Sequence, residues 1–240
     1  MQERLDKILV SQGMASRRDV QHWIRCGQVT VDGETVCDPS QKLDAEAQRI
    51  EVKGMTVVYR RHLYLMLNKP PGLLCVSRDP RVPTVMELVP AQLRRKGLFP
   101  AGRLDKDTVG LVLLTDDGDF AHRMLSPRKE IEKCYQARID APVTQEHIRI
   151  FAQGTSLEDG TLCLPAKLRV LDQADQPLVE VRICEGRYHQ IKRMFASVGR
   201  KVLWLKRISI GGLGLDSTLK EGKCRELTET EKAAVFSGCL

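Results

Sequence analysis

Two segments of the chain concentrate the residue types that do chemistry. The first, Gly102-Arg103-Leu104-Asp105-Lys106-Asp107-Thr108-Val109-Gly110-Leu111, sets two carboxylates among loop formers immediately before an apolar run. A carboxylate there can act as nucleophile, base or cation ligand, and Asp105 read alone equally fits a turn or cap. The second, Glu185-Gly186-Arg187-Tyr188-His189-Gln190-Ile191-Lys192-Arg193-Met194-Phe195, puts a glycine turn ahead of a helical pattern whose start is loaded with hydrogen-bond donors. Such a start suits anions. In isolation, His189 also fits a structural histidine, and Lys192 with Arg193 a solvated helix face.

Metal chemistry finds less support. Asp105, Asp107, Asp116, Asp117 and Asp119 together suggest a magnesium site and a metal-dependent nuclease, but they do not follow the calcium-loop template with its terminal glutamate in register. The eight cysteines, Cys26, Cys37, Cys75, Cys134, Cys163, Cys184, Cys224 and Cys239, contain no Cys-x-x-Cys pair, which disfavours zinc. They read as reduced thiols acting as small hydrophobes. No metal and no cofactor is expected.

These segments must be carried by elements that the hydrophobic pattern outlines. Leu5, Ile8 and Leu9 recur at helical spacing before Gly13, and Ser16 can cap a second helix with Val20, Trp23 and Ile24 on one face, ending at Gly27. Val29-Thr30-Val31, Asp32-Gly33 and Glu34-Thr35-Val36 read as strand, two-residue turn and strand. Arg17, Arg18 and Arg25 lie on or beside the second helix, where they can reach phosphates. After Arg60-Arg61 longer strands alternate with helices. Leu63 to Asn68 and Leu73 to Val76 flank a turn at Lys69-Pro70-Pro71-Gly72; Val109 to Thr115, Ile131 to Ile139, Leu178 to Cys184 and Val202 to Ile210 are further strands. Helices are expected from about Phe120, over Gln145 to Gln153, over Tyr188 to Val198, and after a capping box at Thr228-Glu229-Thr230-Glu231. Strands neither alternate strictly with helices nor segregate from them, which predicts an α+β fold with a mixed sheet.

Composition narrows the partner. The 240 residues are 42% apolar and 29% charged, a globular composition, and the longest apolar runs of four or five residues fall far short of the ~18 of a membrane span. The N-terminus lacks the apolar core of a secretion signal, so a cytoplasmic protein is expected. The net charge of +7 is uneven: residues 60–136 carry 14 basic against 9 acidic side chains and residues 181–210 carry 8 against 1, whereas 137–180 carry 4 against 7. That pattern suggests a basic face for a polyanion. Aromatics at 5% argue against extensive stacking on single-stranded bases.

The residues then resemble known families. Arg4-Leu5-Asp6-Lys7, Ala15-Ser16-Arg17-Arg18 and Gly27-Gln28-Val29-Thr30-Val31-Asp32-Gly33 resemble an S4 RNA-binding domain of the αL type over residues 1–59. Met66-Leu67-Asn68-Lys69-Pro70, Gly102-Arg103-Leu104-Asp105, Gly110-Leu111-Val112-Leu113-Leu114-Thr115-Asp116-Asp117-Gly118, Ser126-Pro127-Arg128, Glu132-Lys133-Cys134-Tyr135, the 185–195 segment and Ile210-Gly211-Gly212 resemble, in this order, the pseudouridine synthases. The branch typified by the ribosomal small-subunit enzyme is the most similar, with an S4 module followed by a catalytic domain, here residues 60–240, built on a mixed, mainly antiparallel sheet.

The resemblance implies an isomerisation of uridine in ribosomal RNA, the base leaving C1′ through N1 and returning through C5. It maps the catalytic carboxylate onto Asp105, as nucleophile on the sugar or helper of a glycal route, and its cationic partner onto Lys192, where the wider superfamily commonly has Arg. Tyr135 falls where the family's tyrosine packs on the target base, with Ile191 as apolar support. Arg103 falls where a side chain fills the gap left by the everted base. Arg187 and His189 are further substrate-binding candidates, and Arg17, Arg18 and Arg25 the S4 contacts. A small-subunit (16S) uridine, of the uridine-516 type, is the expected target, acting as a monomer on RNA or an assembly intermediate. A large-subunit (23S) uridine and a non-catalytic RNA-binding assembly factor are the alternatives.

Overall fold

The computed structural model describes residues 2–238, so Cys239 lies outside the described residues. The chain forms two compact units, one of residues 2–63 with Pro90–Leu98, the other of Tyr64–Val89 with the chain from Phe99 onward. A boundary read linearly after residue 59 leaves out 60–63 and the 90–98 segment. Arg95 ties that segment in by donating to the carbonyl oxygens of Arg60 (3.0 Å) and Arg61 (3.1 Å).

In the first unit, helix Leu5–Ser11 buries Leu5, Ile8 and Leu9, and helix Arg17–Arg25 buries Val20 and Ile24 against them. Ser16 caps the second helix by accepting from the Asp19 N–H. Asp32 and Gly33 take φ of 52° and 87°, the left-handed pair that a tight hairpin between Val29–Val31 and Glu34–Thr35 demands. The resulting sheet runs in the order Glu34–Thr35, Val29–Val31, Ile50–Val52, Met55–Thr56, all antiparallel. Asp6 is fully buried and accepts from Arg4 at 3.0 and 2.9 Å, Gln21 at 2.8 Å and Arg17 at 3.4 Å. Its carboxyl is held down to about 2, foremost by the Arg4 hydrogen bonds.

The second unit is built on a nine-stranded sheet. Its main path is Lys167–Val170, Leu178–Ile183, Lys133–Ile139, Val202–Ile210, Val109–Thr115, Tyr64–Lys69, Cys224–Glu226, with Leu213–Gly214 and Phe99–Ala101 attached beside it. Val202–Ile210 and Val109–Thr115 pair in parallel; the other pairings are antiparallel. The sheet is thus mixed and mainly antiparallel, and with its helices the fold is α+β. All seven residues of Val109–Thr115 are buried, as a central strand covered on both faces requires. Met66, Leu111, Leu113, Phe120, Met124, Ile210 and Leu213 form one core cluster.

Several expectations need correction. Leu73 to Val76 is no strand: beyond the turn at Gly72, only Leu74 bridges, to Thr84. The helix expected from Phe120 starts at Gly118, because Asp117 caps it by accepting from the Phe120 N–H at 3.0 Å. The strand expected from Ile131 starts at Lys133, and the helix over Tyr188 to Val198 shortens to Gln190–Ser197 because His189, at φ 47°, breaks the right-handed spiral. Among the described residues, no helix is long and apolar enough to cross a membrane.

Candidate active site

The two chemistry-bearing segments meet across one cleft of about 750 Å³ in the second unit, within the roughly 300–1,000 Å³ typical of ligand pockets. Asp105 enters from the loop before the central strand. A turn holds it there, the Thr108 N–H donating to the Asp105 carbonyl at 3.1 Å. Lys69, wholly buried, braces the same loop: its ammonium donates to the carbonyl oxygens of Pro70 (3.0 Å), Lys106 (3.1 Å) and Thr108 (2.8 Å). Burial pushes that ammonium's pKa down. Gly110 follows at φ 98°, and a Cβ there would collide with the Arg207 carbonyl oxygen of the parallel neighbour.

From the other side, the 185–190 loop is tied to itself. Glu185 accepts from Gln190 (2.8 Å) and Arg187 (2.9 Å), and the Arg187 N–H donates to Gln190 (2.9 Å). The helix that follows projects Lys192 to 3.3 Å from Asp105 and 2.6 Å from Asp107. His189 Nε2 lies 3.6 Å from Asp105. Side chains of Asp105 and Lys192 are 26% and 24% exposed, shielded enough to strengthen their attraction yet open to a ligand, whereas Asp107 is 73% exposed. Burial alone would lower the Lys192 pKa, but its hydrogen bond to Asp107 and the charges of Asp105 and Asp107 outweigh it and raise the pKa. Asp107 in turn is held below the usual carboxylate range by its hydrogen bond to Lys192.

Tyr135 forms the wall from strand Lys133–Ile139, where it is buried and pairs across to Arg207. Arg207 sits with its guanidinium carbon 6.0 Å from the Tyr135 ring centroid. Buried Ile191 adds apolar surface to the cleft. Arg103, Arg187 and Tyr188 are exposed where they line it, and Tyr188 stacks on His189 with centroids 3.9 Å apart.

The family model described as RNA pseudouridylate synthase matches residues 63–197, and that of the S4 domain residues 3–48. The ribosomal small subunit pseudouridine synthase A of Escherichia coli (strain K12) is 43% identical over 233 residues, covering 97% of this chain and 99% of that protein. The chain belongs to the RNA pseudouridylate synthase family. This synthase is also 41% identical to a Bacillus subtilis (strain 168) protein named as an uncharacterized RNA pseudouridine synthase, YtzG, over 95% of this chain and 96% of that one. A solved structure titled as a pseudouridylate synthase superposes with a TM-score of 0.67 at 38% identity, covering 97% of this chain and 99% of the other.

All seven residues singled out in the second unit, Asp105, Tyr135, Lys192, Arg103, Ile191, Arg187 and His189, line the one cleft. In the first unit, Arg17, Arg18 and Arg25 are exposed on helix Arg17–Arg25, and Arg17 leans on Asp6. The donors expected to greet an anion at the start of helix Gln190–Ser197 face carboxylates of the protein instead, Lys192 those of Asp105 and Asp107, and Arg193 that of Asp159 at 2.6 Å. Among the described residues, no three His, Cys, Asp or Glu side chains converge as a metal site would require. The seven described cysteines are unbridged. Sequence reasoning gave no role to Lys69, Lys133 or Arg207. For Arg207 the signal was a cation two residues after Leu205, on the same inward face of strand Val202–Ile210.

Proposed function

We propose that this synthase isomerises a uridine of small-subunit (16S) ribosomal RNA, of the uridine-516 type, with Asp105 as the reacting carboxylate. The observation that carries this reading is the Asp105 carboxylate 3.3 Å from the Lys192 ammonium inside a cleft walled by Tyr135. The 43% identity to a small-subunit synthase over almost the whole of both chains supports the target. Work on ribosomal RNA fits a monomer in the cytoplasm, acting on the RNA or on an assembly intermediate.

Chemically, the C1′–N1 bond breaks with its electron pair going to the base, while Asp105 bonds to C1′ or assists loss of the neighbouring sugar proton. The base turns, C5 bonds to C1′ as the Asp105–C1′ bond breaks or the sugar proton returns, and the C5 proton is lost as N1 gains one, so the sum is an isomerisation. A conventional glycosidase needs a second carboxyl group kept protonated to hand a proton to the leaving group. Asp107, the other carboxylate beside Lys192, is held ionised by that lysine and is unsuited to the task. Lys192 favours the charged form of Asp107. Tyr135 packs on the everted base, Ile191 supports it, and His189 and Arg187 contact the nucleotide. Eversion costs a few kcal/mol, and Arg103 fills the vacated stack. Arg17, Arg18 and Arg25 add phosphate contacts.

The test is pseudouridine mapping in a strain lacking this gene, with the wild-type chain or the Asp105→Asn variant returned. Loss of one 16S pseudouridine, restored by the wild type alone, is the expected result; loss in 23S RNA instead would reassign the target, and no loss at all would refute the assignment.

A further inference from the structure

Arg207 is 4% exposed, and of its guanidinium only Nε–H has a partner, the Leu111 carbonyl at 2.8 Å. Its Nη2 is buried without a hydrogen-bond partner, and the cation forms no ion pair among the described residues. Lys133, which lines the same cleft, is likewise without a carboxylate and reaches only the Cys184 carbonyl at 3.5 Å. Asp105 and Asp107 are both engaged by Lys192, and neither forms an ion pair with Arg207 or Lys133. A buried cation with orphaned donors is unfavourable unless something supplies the missing acceptor.

We infer that Arg207 is a further catalytic residue, whose Nη donors bond a carbonyl oxygen of the everted uracil and neutralise the charge left on the ring when C1′–N1 breaks. This rests on the reading of the preceding section. When that bond breaks, the electron pair spreads from N1 onto O2 and O4, the two acceptors on the ring edge. A fixed donor aimed at such an oxygen acts where charge develops, without having to reorganise. Two observations favour the base over a phosphate as ligand. The guanidinium lies 6.0 Å from the ring of Tyr135, against which the base packs, and it is buried, whereas the other arginines that line the cleft, Arg103 and Arg187, are exposed. The strand register fixes the geometry, Arg207 pairing with Gly110 on one side and Tyr135 on the other.

The experiment compares wild type with Arg207→Met in single turnover on ribosomal RNA carrying uridine, 2-thiouridine or 4-thiouridine at the target, sulfur being a poor acceptor. One of the thio substitutions should slow the wild type by about 10-fold, and Arg207→Met should be about 100-fold slower on plain uridine. In that variant the same thio substitution should cost less than about 2-fold, and RNA affinity and its salt dependence should be unchanged. Thio penalties absent from the wild type, or equal in the two proteins, would overturn the role. So would a salt slope reduced by about one with an unchanged saturating rate, the mark of a phosphate contact. If Arg207→Met does not fold, Arg207→Lys is read instead: a thio penalty changed by more than about 3-fold supports the contact, an equal one refutes it. A wild type inactive on plain uridine would sink the underlying assignment, whereas an active one with equal penalties sinks only the role of Arg207.

Discussion

The Lys192 ammonium is closer to Asp107, at 2.6 Å, than to Asp105, at 3.3 Å. One cation therefore serves two carboxylates, the exposed Asp107 acting as a tether that keeps the lysine over the loop. Lys192→Met leaves both carboxylates without it and should lower kcat by about 100-fold or more, with Lys192→Arg retaining most of the activity. Asp107→Asn should cost less than about 10-fold, since Asp105 still holds the ammonium. Rates at saturating RNA check the order; an Asp107→Asn loss equal to that of Lys192→Met would make Asp107 the more important carboxylate.

The S4 arginines are not equivalent. Arg17 spends part of its charge on Asp6 at 3.4 Å, whereas Arg18 and Arg25 have no ion-pair partner among the described residues. Removing Arg18 and Arg25 together should reduce the slope of log affinity against log salt by about 1.5, and Arg17→Ala should change it by less than either single removal. Titration of RNA binding across salt concentrations decides this.

Asp6 makes the first unit acid-sensitive. Its folded-state value of about 2 lies below the ordinary 3.8, so its stabilisation is complete above about pH 4 and is lost as pH falls through 2. The difference is worth about 2 kcal/mol. Asp6→Asn should lower the melting temperature at pH 7, and the gap to wild type should close toward pH 2. Trp23, packed on the first unit's core, reports this by fluorescence once Trp204 is replaced by Phe.

Much of the fold was legible in the sequence because strong local signals agreed with the tertiary structure. Ser16, Gly27, Asp32-Gly33 and Thr228 mark boundaries that their own side chains or φ angles enforce. Gln145–Gln153 and Val202–Ile210 carry enough periodicity to be bounded correctly. Strands of three or four residues, such as Phe99–Ala101 and Cys224–Glu226, exist only because a neighbour offers its edge, and no local pattern announces them. The cleft's residues were legible through motif order, yet Lys69 and Arg207 were not, since their importance lies in partners 37 to 96 positions away in sequence.

Gly110 shows how tightly that long-range geometry is set. Its positive φ and its approach to the Arg207 carbonyl leave no room for a methyl group. Gly110→Ala should destabilise the second unit by more than about 2 kcal/mol, and any folded fraction should be impaired in turnover, because the strands carrying Asp105's loop and Arg207 are forced apart. Chemical denaturation with parallel activity assays tests both parts.

If the Asp105 carboxylate is the reacting group of the Lys192-flanked cleft, release of tritium from ribosomal RNA labelled at uracil C5 depends on it. Wild type should release the label stoichiometrically with pseudouridine formed, and Asp105→Asn, folded and still binding RNA, should be slower by more than about 10³-fold. Equal release by Asp105→Asn would remove Asp105 from the reacting role.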